Sequence, residues 1–208
     1  MTDLAHTPRG IRLPRTARRA QLLAAAQDVF VANGYHAAAM DEIAERAGVS
    51  KPVLYQHFPG KLELYLALLE THVDELTQRV REAMQSTTDN KMRVQAAVRA
   101  YFDFVDSDGQ AYRMVFESDL RGEPAVQNAI DRATTVSVKA ITETITADAG
   151  LDTERARMLA LGLVGMSEVS ARAWLDADRR IPKDEAVALI STLAWRGIGA
   201  GFPLYHPS

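Results

Sequence analysis

Apolar residues recur at every third or fourth position along most of the chain, and no stretch of strict alternation interrupts them. Leu22, Leu23, Ala26, Val29 and Phe30 form one such stripe. It predicts a helix over about 17–33, with Thr16 as its cap and Gly34 as its stop. Met40, Ile43, Ala44 and Ala47 share one face of a short second helix, and Leu54 and Phe58 share the inner face of a third. From Lys61 onward the period is kept by Leu62, Tyr65, Leu66, Leu69, Val73, Leu76, Val80 and Met84. That run predicts one continuous helix to about Gln85, roughly 40 Å long at 1.5 Å per residue. Helices near 91–106, 110–119, 124–148, 152–177 and 183–198 follow. Asp89-Asn90, Gly109, Gly122-Glu123-Pro124, Gly150-Leu151-Asp152 and Ile181-Pro182 separate them. The predicted class is all-α, without internal repeats.

Residues 47–58 read as the turn and second helix of a helix-turn-helix. Gly48 supplies a turn residue with no Cβ to strain, Ser50 is a natural N-cap, and Pro52 falls in the first turn, where a missing N–H costs nothing. Val49 and Leu54 are spaced as a hydrophobic staple, and Pro59 ends the helix. With Leu54 and Phe58 turned inward, Pro52, Val53 and Gln56 point outward and Tyr55 and His57 flank them. A short helix with so small an inner face suits the DNA major groove. Gln56 has the geometry to pair with adenine, Val53 to pack on a thymine methyl and Lys51 to reach guanine.

Charge is divided along the chain in a way that agrees. The net charge is −3, but residues 1–61 hold 8 Lys/Arg against 5 Asp/Glu, and the remainder hold 16 against 22. Arg9, Arg12, Arg15, Arg18 and Arg19 crowd the first 19 residues, where Asp3 is the one acid. A basic head on an acidic body is the footprint of a DNA-reading domain attached to something else. Three segments follow: a disordered basic arm over 1–14, able to lie along phosphates or in the minor groove, a helix-turn-helix domain over 15–60, and a larger helical domain over 61–208.

Little in the sequence favours an enzyme. There are no cysteines, which excludes disulfides and thiolate chemistry and fits a reducing cytoplasm. The five histidines lack metal-ligand spacing, and no nucleophile elbow or phosphate-cradling loop points to a cofactor. Glu168 and Arg172, at i,i+4, read as a surface ion pair. No apolar run approaches a membrane span or a signal peptide. In the second domain Gly162 and Gly165 sit inside a predicted helix at a cost of about 1 kcal/mol each, so close helix approach or room for a ligand should offset them. Val98, Phe102, Val105, Met114, Phe116, Ile130, Val138, Leu163, Met166 and Trp174 are candidates to line an apolar pocket, core being the plainer reading for any one of them.

Phe30, Gly34-Tyr35, Ile43-Ala44, Ala47-Gly48-Val49-Ser50, Leu54-Tyr55, His57-Phe58 and Lys61 together resemble the N-terminal domain of the TetR family of bacterial transcriptional regulators. The resemblance implies a homodimer on a palindromic operator. It implies DNA contacts from Arg15, Arg18, Arg19, Ser50, Lys51, Pro52, Val53, Tyr55, Gln56, His57 and Lys61, with Tyr55, His57 and Lys61 on phosphates. It also implies that the last two helices form a four-helix bundle with their symmetry mates. Ala38 and Ala39 depart from the family, which has hydroxyl residues at that helix start. Residues 40–44, 50–58, 61–65, 100–104, 162–167 and 174–178 resemble more narrowly the TetR-type regulators of fatty-acid synthesis in mycobacteria and related actinobacteria. That likeness implies an activator released from DNA by long-chain acyl-CoA. The alternative within the family is a repressor of an efflux or other operon sensing a different hydrophobic compound.

Overall fold

The computed structural model describes residues 13–107, 114, 120 and 122–201, with side chains described to Gly197. Among these residues there are eight helices and no strand: α1 (Arg15–Ala37), α2 (Met40–Arg46), α3 (Lys51–His57), α4 (Lys61–Gln85), α5 (Asn90–Ser107), α6 (Pro124–Ala149), α7 (Thr153–Asp176) and α8 (Lys183–Gly201). The all-α expectation holds. Residues 1–12 of the basic arm expected over 1–14, and the expected helix over 110–119, Met114 apart, lie outside the described residues. No described helix is long and apolar enough to cross a membrane.

Contacts gather into two compact units, Met1–Leu68 and Leu69–Ser208, and the division falls within α4. In the first unit Leu22, Ala26, Val29, Ile43, Leu54, Phe58 and Leu64 are fully or almost fully buried. Gly34 breaks α1 with φ 71°, and the chain past it folds Tyr35 onto Phe30 and Tyr65, at ring distances of 5.9 and 5.3 Å. In the second unit α7 packs on α5 and α6, and α8 on α5 and α7. Val98, Phe102, Phe104, Val126, Ala156 and Val187 form the centre of that core.

Two cap expectations are corrected. α1 begins at Arg15 behind Pro14, so Thr16 is inside the helix and no side chain caps it. Ser50 does occupy the N-cap of α3, yet its hydroxyl bonds no helix amide. The reason lies in Pro52: the second helical position has no N–H, and the Val53 N–H bonds the Ser50 carbonyl instead, at 3.0 Å. The pairing expected of Arg172 is also different, since its guanidinium meets Asp176 at 4.0 Å.

Candidate nucleic-acid interface and effector cavity

The turn between α2 and α3 has the hydrogen bonds of a Schellman cap. Gly48, at φ 63°, donates to Glu45 O at 2.9 Å, and Val49 donates to Ala44 O at 3.0 Å. Gln21 on α1 closes the same end, its amide donating to Ala47 O at 2.8 Å, while Arg18 donates to Gln21 Oε1 at 2.7 Å. One carbonyl chain therefore ties α1 to the end of α2 and fixes the angle at which α3 leaves. With Leu54 and Phe58 buried, Lys51, Pro52, Tyr55 and Gln56 are exposed, and Val53 and His57 half-buried. Lys51 reaches back to Asp41 at 2.5 Å, an exposed pair that a DNA partner can displace at little cost.

The start of α1 meets the end of α3. Arg19 lies 4.4 Å over the Phe58 ring, and Arg15, Arg18 and Arg19 are all close enough to act on His57. Partial burial first, then repulsion from these arginines, holds the imidazole below its ordinary range. Four DNA-contact candidates from two separated stretches thus form one positive edge beside the exposed face of α3.

Lys61 has a role that its sequence position does not suggest. Its ammonium donates to Tyr35 O at 2.8 Å, His36 O at 3.2 Å and Ala38 O at 3.0 Å, and sits 4.6 Å from the Tyr35 ring centre. All three protons are engaged by carbonyls at the end of α1. Phe30, Gly34, Tyr35 and Lys61, four residues of the motif, are one structural knot.

The second unit holds a cavity of about 780 Å³ between the last turn of α4, the start of α5, the end of α6, and α7 and α8. Leu163 and Met166 are in its wall as expected, and so is Gly162. Val98, Phe102, Val105, Met114, Ile130, Val138 and Trp174 are packed in the core away from that wall. The rings of Phe102 and Trp174 meet at 5.5 Å, tilted by 53°, Trp174 donates to Ile181 O, and Val138 lines a smaller cavity of about 340 Å³. Phe116 lies outside the described residues. Val94, Ile141 and Ile145, apolar positions of the helical stretch expected to form a pocket, line the large cavity, and so do Met84, Met158, Leu159, Leu193 and Trp195, which were outside the candidate set. The signal available was the glycine: Gly162 is in the wall and a Cβ there would meet nothing within 4 Å, while Gly165, equally open over its Cα, is outside the lining. No group of three or more metal-ligating side chains occurs among the described residues.

A reading helix on a three-helix head, followed by a helical unit with an apolar cavity, defines a one-component regulator. The chain belongs to the TetR family: the description "Bacterial regulatory proteins, tetR family" matches residues 22–68, and "Tetracyclin repressor-like, C-terminal domain" matches 90–197. It is a DNA-binding transcriptional regulator and not an enzyme. The chain is 53% identical to the HTH-type transcriptional activator FasR of Mycolicibacterium smegmatis, over 95% of this chain and 96% of that one. Two solved structures share the fold. The fatty acid degradation regulator FadR of Bacillus halodurans has a TM-score of 0.73 at 19% identity, over 91% of this chain and all of that one. FadR of Bacillus subtilis, solved in complex with stearoyl-CoA, has a TM-score of 0.70 at 20% identity, over 86% and 98%.

Proposed function

We propose that this chain is a homodimeric regulator of fatty-acid synthesis genes in the bacterial cytoplasm, binding a palindromic operator and leaving it when long-chain acyl-CoA fills the second unit. The observation that carries the effector reading is the 780 Å³ cavity, whose wall is largely aliphatic and includes a helical glycine with open space in front of it. Its volume is in the range of small-molecule sites, and each methylene it buries contributes about 0.8 kcal/mol. The stearoyl-CoA in the solved complex of FadR from Bacillus subtilis, which shares the fold, and the motifs over 100–104, 162–167 and 174–178 favour an acyl effector over another hydrophobic compound.

On the DNA side Gln56, Val53 and Lys51 read bases, while Arg15, Arg18, Arg19, Ser50, Pro52, Tyr55 and His57 border the phosphates. The Ser50 hydroxyl, released from capping by Pro52, is available to a phosphate oxygen. The effector acts through α4, one continuous helix that begins at Lys61 and contributes Met84 to the cavity wall. A ligand that prefers a displaced α4 shifts both heads of the dimer, and its leverage is limited to that preference.

The test is a gel-shift titration on operator DNA below the micelle concentration, with an unrelated DNA-binding protein as detergent control. Stearoyl-CoA is expected to release the operator, and acetyl-CoA and free CoA are expected not to. Release by a planar or cationic drug with no response to long acyl chains replaces this reading with that of an efflux repressor.

A further inference from the structure

The apolar cavity does not end in aliphatic side chains alone. Met84, Arg93, Thr144 and Asp148 belong at once to its wall and to that of a second cavity of about 580 Å³. Arg81, Gln85, Lys139 and Glu143 complete the polar lining of this neighbour. The two spaces differ in chemistry and share a border, so a single ligand that fills both has a long apolar part and a charged part.

The sign of that charge follows from the residues. Three cations, Arg81, Arg93 and Lys139, face two acids, Glu143 and Asp148. Glu143 is loosely engaged, 3.9 Å from Lys139, with both side chains largely exposed. Arg81 has no partner among the described residues. Arg93 is fixed on the border: its Nε donates to Thr87 O at 2.7 Å, and its Nη1 to Asn90 Oδ1 at 2.9 Å and to Asp148. With Nε and Nη1 of Arg93 so engaged, Arg81, which is unpaired, and Lys139, which is loosely paired, are the cations of this lining most open to an anionic group.

We propose that the polar cavity is a head-group subsite in which Arg81, Arg93 and Lys139 bind the phosphates of an amphipathic effector whose alkyl chain occupies the apolar cavity. The proposal rests on the acyl-effector reading above and adds to it which end of the ligand is recognised by charge. Asp148 competes with the head group for Arg93. A free fatty acid, with one carboxylate, engages the subsite only in part.

Isothermal titration of the full-length protein separates these statements. The probes are stearoyl-CoA, stearate and 1-stearoyl lysophosphatidate, all below their micelle concentrations. The wild type is expected to bind stearoyl-CoA at least tenfold more tightly than stearate. In the Arg81→Ala/Lys139→Ala variant, which alters two exposed side chains and no core contact, that ratio is expected to fall to within about twofold of unity. Asp148→Asn is expected to tighten stearoyl-CoA several-fold, because Arg93 keeps its Thr87 and Asn90 anchors. Lysophosphatidate as tight as stearoyl-CoA assigns the subsite to a single phosphate, and weaker binding assigns it to the coenzyme's polyphosphate. Equal wild-type affinity for stearate and stearoyl-CoA, or a ratio that survives the double variant, overturns the head-group subsite and leaves the effector reading standing. Failure of all three probes to bind the wild type overturns both.

Discussion

His57 is kept neutral by its own surroundings: burial and the charges of Arg15, Arg19 and Arg18 all disfavour the imidazolium and put its pKa below the ordinary 6.5. A DNA phosphate placed against the ring acts in the opposite sense and raises the pKa. Binding then takes up a proton, so operator affinity should strengthen as pH falls through the interval between the bound and free values. The gain is at most about tenfold for each unit of separation. Fluorescence anisotropy at pH 8, 7 and 6 measures it, and His57→Gln should flatten the dependence; an unchanged slope in that variant removes His57 from the interface. Lys61 poses a different question. With its three protons on the carbonyls of Tyr35, His36 and Ala38, Lys61→Ala should lower the stability of the full-length protein by about 1–2 kcal/mol in urea denaturation, with the salt slope of DNA binding intact. A slope smaller by about 1 in a variant of unaltered stability would restore the phosphate role.

At the scale of elements, the cluster that joins α5 to α8 has a pH dependence with a definite sign. Lys183 pairs with Asp103 at 2.9 Å and Asp106 at 3.0 Å, and Arg179 adds a contact to Asp106 at 3.0 Å. The hydrogen bond from Lys183 is the main reason Asp106 titrates below its usual range, and the two carboxylates raise Lys183 in return. A depressed carboxylate contributes stability above its unfolded pKa and loses it as pH falls through the folded one, while the raised lysine is fully protonated throughout that window. Lys183→Met should therefore destabilise at pH 7, and the deficit should shrink as pH falls through the folded-state pKa of Asp106; a difference that stays constant through the acid limb contradicts the pairing. In α7, Gly162→Ala meets no atom and should stabilise by about 1 kcal/mol, whereas Gly162→Phe fills the cavity and should shorten the longest acyl chain that releases DNA. A chain-length series of acyl-CoA gel shifts reads that change, and an unaltered cut-off places the alkyl chain elsewhere. The helices themselves were legible: α4 was expected over Lys61–Gln85 and is found there, because one apolar stripe and two polar breaks bound it. Caps were less so, since whether Ser50 caps depends on an N–H that Pro52 lacks. Pocket walls were least legible. Val98 and Ile145 are alike in sequence, and whether an aliphatic side chain meets another residue or empty space is decided by how helices distant in the chain come together.

On the whole molecule the apolar surface is unevenly placed. On α7, Met158, Leu159 and Val169 are 69%, 55% and 64% exposed, and on α8 Trp195 is 47% exposed, with Leu189 also at the surface. Gly165 lies between the first group and Val169, with open space over its Cα. An apolar stripe of this kind on two neighbouring helices, with a small residue to admit close approach, is the surface that a second copy covers in a two-fold bundle. Covering it also completes the outer wall of the large cavity, where Met158, Leu159 and Trp195 now face solvent, so assembly and effector binding are expected to favour each other. Val169→Glu tests this without touching core or cavity, because the side chain is exposed and is in neither lining. Light scattering should move from twice the chain's 22.9 kDa to 22.9 kDa itself. Operator affinity should fall by a hundredfold or more, since a lone reading head loses the effective concentration supplied by its tethered mate. Affinity for random DNA should fall far less, because the phosphate contacts proposed for Arg15, Arg18 and Arg19 belong to each head separately. A variant that stays dimeric puts the interface elsewhere on the chain. A variant that is monomeric and still binds the operator at full affinity ends the case for palindromic recognition, because one head would then be reading the whole site.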